Sequence, residues 1–195
     1  MRRPSPILLR FPRPIQSPHL HHHRTFLTPS SSPQTLRASR TLPYSPSTLF
    51  KVIASVDTYP YFLPFILSSR VTAHDSARYP TRASLEIGYA GFKENFTSRV
   101  HCDPKTLVVE ATSGEKGGSS AGGDEGLFEF LRTKWALSPR SAKETDVELV
   151  IEVKFKSAIY TAMMQAASPG VAGLVVKAFE KRVEEVVRSE GEGGR

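Results

Sequence analysis

Between residues 171 and 188 apolar side chains return every three or four positions. That recurrence limits the possible folds more than any other feature of the chain. Val171, Ala172, Val175, Val176, Phe179, Val183 and Val186 fall on one arc of a helical wheel, with Lys177, Glu180, Lys181, Glu184, Glu185 and Arg188 opposite. The pattern predicts an amphipathic helix with one face committed to a core. At about 1.5 Å per residue it reaches about 27 Å, enough to cross a sheet. Lys181 with Glu185, and Glu184 with Arg188, stand at i,i+4 on the exposed face. Arg182, at the edge of the arc, is expected to lay its stem on apolar surface and keep its guanidinium in water.

The segments upstream supply a sheet for this helix. Residues 42–44 read as a short first strand. Ser45-Pro46 is an N-cap followed by proline at the first helical position, opening a helix that ends near Ser55. Asp57 can cap a second short helix that stops before Pro64. Strands follow. Residues 70–74 form a short one. Ala83, Leu85, Ile87 and Tyr89 alternate with polar neighbours, and Ala90-Gly91 turns the chain into residues 92–101. Residues 106–111 are next, then a glycine-rich loop over 113–126 without a phosphate-cradling motif. Residues 127–137 form a long strand. Its apolar side chains change parity after Phe130, which predicts a bulge. A turn at Ser138-Pro139 leads to the cleanest alternation: Val147, Leu149, Ile151, Val153 and Phe155. Successive antiparallel strands with helices at the ends indicate an α+β fold.

Charge is unevenly spread. Residues 1–40 hold seven of the 26 basic side chains and no acid, so the remainder balances 26 − 7 = 19 basic against 19 acidic groups. A neutral body argues against nucleic acid as a partner, because phosphate binding rests on clustered Lys and Arg. The head, rich in Arg, Ser and Pro, reads as a mitochondrial transit peptide. The expected organisation is therefore a leader over 1–40, a folded body over 41–188 and a disordered tail over 189–195. The single Cys102 excludes an internal disulfide and fits a reducing compartment. The uncharged stretch 157–176 is interrupted by Ser168-Pro169-Gly170, a breaker run that argues against a spanning helix. Its residues Ile159, Tyr160, Met163 and Met164 suit contact with a membrane surface.

Catalytic groups are sparse. His101-Cys102-Asp103 is the densest cluster of reactive types, but strand neighbours point to opposite faces, and Asp103-Pro104 reads as a turn. Glu86 and Glu94 are a conceivable acid–base pair, although Glu86 belongs to a polar face. No metal-ligand spacing occurs, and His21-His22-His23 has no other ligand type nearby. The aromatic surplus on the strands, Phe92, Phe96, Phe128, Phe130, Trp135 and Phe155, fits either an ordinary core or an apolar ligand cavity.

The run YSPSTLFKVIASVDTYPYFLPFILSSRV (44–71) resembles the opening of the mitochondrial coenzyme Q-binding proteins, members of the START and polyketide-cyclase-like superfamily. ASLEIGYAGFKENFTSRV, LFEFLRTKWALSP, VELVIEVKFKS and VKAFEKRVEEV extend the resemblance in order over residues 41–188. The chain departs from the family in Phe65-Ile66, where Trp-Cys is common, in the glycine-rich insertion, and in residues 166–170. The resemblance implies a helix-grip fold, a curved antiparallel sheet wrapped around the long C-terminal helix. It further implies a hydrophobic tunnel that binds ubiquinone as a ligand, with no cofactor and no reaction catalysed. The tunnel residues expected are Phe62, Leu63, Phe65, Leu85, Ile87, Phe96, Phe128, Trp135, Phe155, Met163, Val175 and Phe179. Implied partners are the lipid surface of the inner mitochondrial membrane on its matrix side and quinone-biosynthetic or respiratory complexes. The role implied is delivery or chaperoning of ubiquinone for respiration and for its own efficient synthesis. The rival readings are a cyclase or dehydratase on the same fold and a ligand-free interaction module.

Overall fold

A computed structural model describes residues 33–89, 92–114 and 128–192. Seven strands, β1 (Gln34–Leu42), β2 (Ile66–His74), β3 (Pro80–Tyr89), β4 (Phe92–Asp103), β5 (Val108–Gly114), β6 (Phe128–Ser141) and β7 (Glu144–Phe155), make one antiparallel sheet in the order β1-β7-β6-β5-β4-β3-β2. From β2 to β7 each strand pairs with its neighbour in sequence, and β1 closes the far edge against β7. Helix α1 (Pro46–Ala54) and a 3₁₀ turn (Val56–Tyr61) join β1 to β2, and α2 (Ala158–Glu192) follows the sheet. This is the α+β helix-grip arrangement. Among the described residues of α2 the buried positions are Ala172, Val176, Phe179 and Val183, spaced at three and four.

Local chemistry explains the elements. The Ser45 side chain accepts from the Thr48 backbone N–H at 3.2 Å and Pro46 opens α1, whose Leu49, Phe50, Val52, Ile53 and Ala54 are buried. Buried Thr145 donates to the Tyr44 carbonyl at 2.9 Å, tying the β6–β7 turn to the start of α1. The expected bulge is present: the β6–β7 register shifts between Phe128 and Phe130. Asp103 builds the expected turn, accepting from the Lys105 N–H at 2.9 Å and the Thr106 hydroxyl at 2.7 Å. The Ala90-Gly91 turn and most of the glycine-rich loop lie outside the described residues. At the loop's start Gly114 has φ +75°, and a Cβ there would meet the Glu129 carbonyl oxygen at 2.1 Å.

Several boundaries differ from the sequence reading. The first strand is Gln34–Leu42, not residues 42–44, so the last residues of the expected leader belong to the sheet. Composition hid it because its basic residues face water and find acids elsewhere: Arg37 meets Glu148 at 3.5 Å and Arg40 meets Glu180 of α2 at 2.9 Å. Leu36 and Leu42 point inward. Ser138-Pro139 is not a turn; β6 runs on to Ser141. Proline is tolerated because β5 ends opposite Ala136, leaving this part of β6 paired on one side only. The breaker run Ser168-Pro169-Gly170 does not end a helix either, since α2 passes through it. A proline costs roughly 3 kcal/mol in a helix interior, and helix-forming Ala and Met before it with the packed face after it outweigh that cost. The helix continues to Glu192, so the expected tail is helical at its start. Glu185 pairs with Arg182 at 3.1 Å instead of Lys181, while the Glu184–Arg188 pair forms at 2.8 Å. No described helix is long and apolar enough to cross a membrane.

Candidate functional site

The space between sheet and α2 is not filled. A cavity of about 290 Å³ lies there, at the low end of the range for small-molecule sites. Its walls follow from strand parity. On β4 the inward residues are Phe96, Ser98 and Val100; on β5 Val109, Ala111 and Ser113; on β6 Leu131, Thr133 and Trp135; on β7 Leu149, Ile151, Val153 and Phe155. α2 contributes Val171, Val175 and Phe179, one turn apart along a single stripe. The 3₁₀ turn and the segment after it contribute Tyr59, Leu63, Pro64 and Phe65.

Aromatic edges organise one end. Phe179 takes three rings edge-on, with centroids at 4.7 Å (Trp135), 5.0 Å (Phe62) and 5.3 Å (Tyr59). Phe96, Phe128 and Phe155 continue the wall at 5.7 and 5.3 Å. Tyr59 donates its hydroxyl to the Ile53 carbonyl, and burial pushes that phenol well above its ordinary pKa. Its polar end is therefore occupied while its ring faces the cavity.

The rim combines Pro64, Phe65, Gly88, Lys93 and Glu94. Phe65 has φ +77°, unusual for an aromatic residue, and its carbonyl accepts the Gly88 N–H at 2.8 Å, which pins it. Glu94 shares the inward parity of Phe96, whereas Glu86 has the opposite parity from Leu85 and Ile87, so the two carboxylates do not converge. His101 is exposed and Cys102 is buried beside it. Burial raises the Cys102 thiol to a pKa of about 11, the reverse of what a thiolate nucleophile needs.

Of the tunnel residues expected from sequence, Leu63, Phe65, Leu85, Ile87, Phe96, Phe128, Trp135, Phe155, Val175 and Phe179 line this cavity. Phe62 does not; it stands behind Tyr59 and Phe179. The Met163 side chain lies outside the described residues. Leu36 was missed because a strand over residues 34–42 was not foreseen, and Tyr59 because the short helix after Asp57 was given no inward face. Ser98, Ser113 and Thr133 were missed because hydroxyls on strands suggest the wet face. The parity of Ser98 with Phe96 and Val100 was the available signal.

Comparison with known proteins agrees with this architecture. The family model described as polyketide cyclase/dehydrase and lipid transport matches residues 42–180. The mitochondrial coenzyme Q-binding protein of Schizosaccharomyces pombe is 34% identical over 159 residues, covering 80% of this chain and 92% of that protein. The ribosome association toxin of Rickettsia prowazekii is 26% identical, covering 77% and 96%. Among solved structures, an aromatase/cyclase from Streptomyces sp. R1128 superposes with a TM-score of 0.66 at 16% identity, over 82% of this chain and 99% of that one, a likeness of fold alone. With the family match spanning most of the body and that degree of identity to the yeast protein, the chain belongs to the mitochondrial coenzyme Q-binding proteins of the polyketide cyclase/dehydrase and lipid-transport family.

Proposed function

We propose that the chain carries ubiquinone in the cavity between sheet and α2, and passes it between the inner-membrane bilayer and the enzymes that make or use it. The observation that supports this most directly is the cavity itself: ligand-sized, and walled almost wholly by carbon from the sheet and one helix stripe. A prenylated quinone is nearly insoluble in water. At about 0.8 kcal/mol per exposed methylene, the part of it that leaves the bilayer needs an apolar container. The quinone is cargo and not a cofactor. Carriage without chemistry is the reading that the printed name of the relatives, coenzyme Q-binding protein, supports.

The protein works as a peripheral protein on the matrix face. Tyr61, 82% exposed, flanks the rim segment, and Leu174, 50% exposed, sits between the cavity-lining Val171 and Val175. These side chains suit insertion at a bilayer surface. Quinone-biosynthetic and respiratory complexes are the expected recipients. Extraction of the purified full chain with organic solvent, followed by mass spectrometry, tests the reading. Ubiquinone in near-stoichiometric amount is expected. A lipid-free protein that also takes up no added quinone refutes it. The likeness to a ribosome association toxin supports a second reading, a protein-docking module, for which ligand-free protein would co-sediment with ribosomes.

A further inference from the structure

Two hydroxyls interrupt the carbon wall at one place. Ser98 on β4 and Ser113 on β5 are each only 4% exposed, both line the cavity, and their oxygens lie 2.6 Å apart. A pair of hydroxyls holds two protons and spends one on the bond between them. The other is available to a guest, and so are lone pairs on both oxygens. Thr133 adds a third hydroxyl to the same wall from β6, on the strand next to Ser113. Counting along β4 from Glu94 at the rim, Ser98 lies four residues inward, about 13 Å at roughly 3.3 Å per residue. The hydroxyls therefore sit deep, behind Phe96 and Phe128, and not at the mouth.

We infer that the Ser98–Ser113 pair is the polar reader of the ligand's oxygenated ring, which enters first and leaves its tail directed toward the rim. The inference rests on the ubiquinone reading above. An oxidised benzoquinone ring offers only acceptors, its carbonyl and alkoxy oxygens, and so needs a donor from the wall. By rotating its protons, a hydroxyl pair can also accept from one O–H group of the reduced ring. The cavity volume fits this orientation, because about 290 Å³ suits a ring and a short length of chain, not a long prenyl tail. A pair of facing hydroxyls is removable without a large folding penalty, since deleting both partners leaves neither unsatisfied.

The test uses the full chain and two probes of equal tail length, decylubiquinone and decylbenzene. Trp135 is the only tryptophan and lies on the cavity wall, so its quenching reports decylubiquinone directly and decylbenzene by competition. In Ser98→Ala/Ser113→Ala the Kd for decylubiquinone is expected to rise about three- to tenfold, the worth of one hydrogen bond. The Kd for decylbenzene should stay within about twofold. An unchanged quinone affinity, or an equal loss for both probes, overturns the inference. A second readout needs no variant: the infrared carbonyl stretch of decylubiquinone bound to the parent protein should lie below its value in liposomes, and an unshifted band overturns it too. Should the parent protein bind decylbenzene and not decylubiquinone, the ubiquinone reading itself fails.

Discussion

Filling the cavity from the sheet side should separate ligand binding from folding. Ala111 sits mid-strand on β5, opposite Val100 and Thr133 on its neighbours, with its side chain on the cavity wall. Ala111→Phe places a ring in the space of about 290 Å³. At roughly 24 cal/mol per Å³, an empty space of that size forgoes about 7 kcal/mol of packing. A buried ring takes ~150 Å² from water, worth about 4 kcal/mol at ~25 cal/mol/Å². Imperfect fit takes back about 1–3 kcal/mol. The unliganded variant should therefore be as stable as the parent or up to about 3 kcal/mol more stable, a Tm rise of up to about 10 °C. The ring also displaces ligand. Losing room for four carbons costs the ligand about 3 kcal/mol, more than about a hundredfold in Kd. Thermal unfolding followed by circular dichroism and Trp135 quenching by decylubiquinone read the two effects on one sample. A variant melting more than about 5 °C below the parent, or one binding quinone as tightly as the parent, would refute the reasoning.

The remaining expectations are these. Saturation with decylubiquinone at about 100 Kd should raise the parent's Tm by about 5–11 °C, measured by differential scanning calorimetry; no shift would mean that the native state does not bind the quinone preferentially. Tyr61→Asp with Leu174→Asp should reduce flotation with cardiolipin-containing liposomes and leave Tm within about 2 °C, because both side chains already face water. The mature amino terminus should lie before Gln34, since β1 buries Leu36 and Leu42 and ties to α2 through Arg40; a chain starting at residue 43 should be insoluble or unfolded, whereas one starting at residue 33 should melt like the full chain. For pH, the Cys102 thiol binds its proton more tightly when folded, so the unfolded state deprotonates first and stability falls as pH rises from about 9 toward about 11. Urea unfolding at stepped pH should show part of that slope disappearing in Cys102→Ala, while Tyr59 and Tyr44, shifted the same way, still contribute.

The long helix, the alternation of β7 and the bulge in β6 were legible because each is a local pattern: a period of 3.6, a period of 2 and a change of parity. Ser45-Pro46 was equally local, since a cap satisfies its own first turn. The apolar cavity wall could be anticipated from residue type, because β-strand parity sorts Leu85, Ile87, Phe96 and Phe155 to one face before any partner is known.

The tertiary structure decided what depends on partners distant in sequence. β1 exists as a strand because β7, more than a hundred residues later, offers an open edge and Glu148 offers a charge to Arg37. Nothing in the basic, proline-rich composition of residues 1–40 announces that edge. Pro139 stays in a strand because β5 stops short of it, and α2 continues across Pro169 because packing beyond it outweighs one lost hydrogen bond. Whether the aromatic surplus makes a solid core or a container was likewise undetermined by residue type. Volume is set by how far α2 stands from the sheet, which the Phe179, Trp135 and Tyr59 contacts fix at one end while Ala111, Ser98 and Ser113, small side chains on the strands, leave space beyond it.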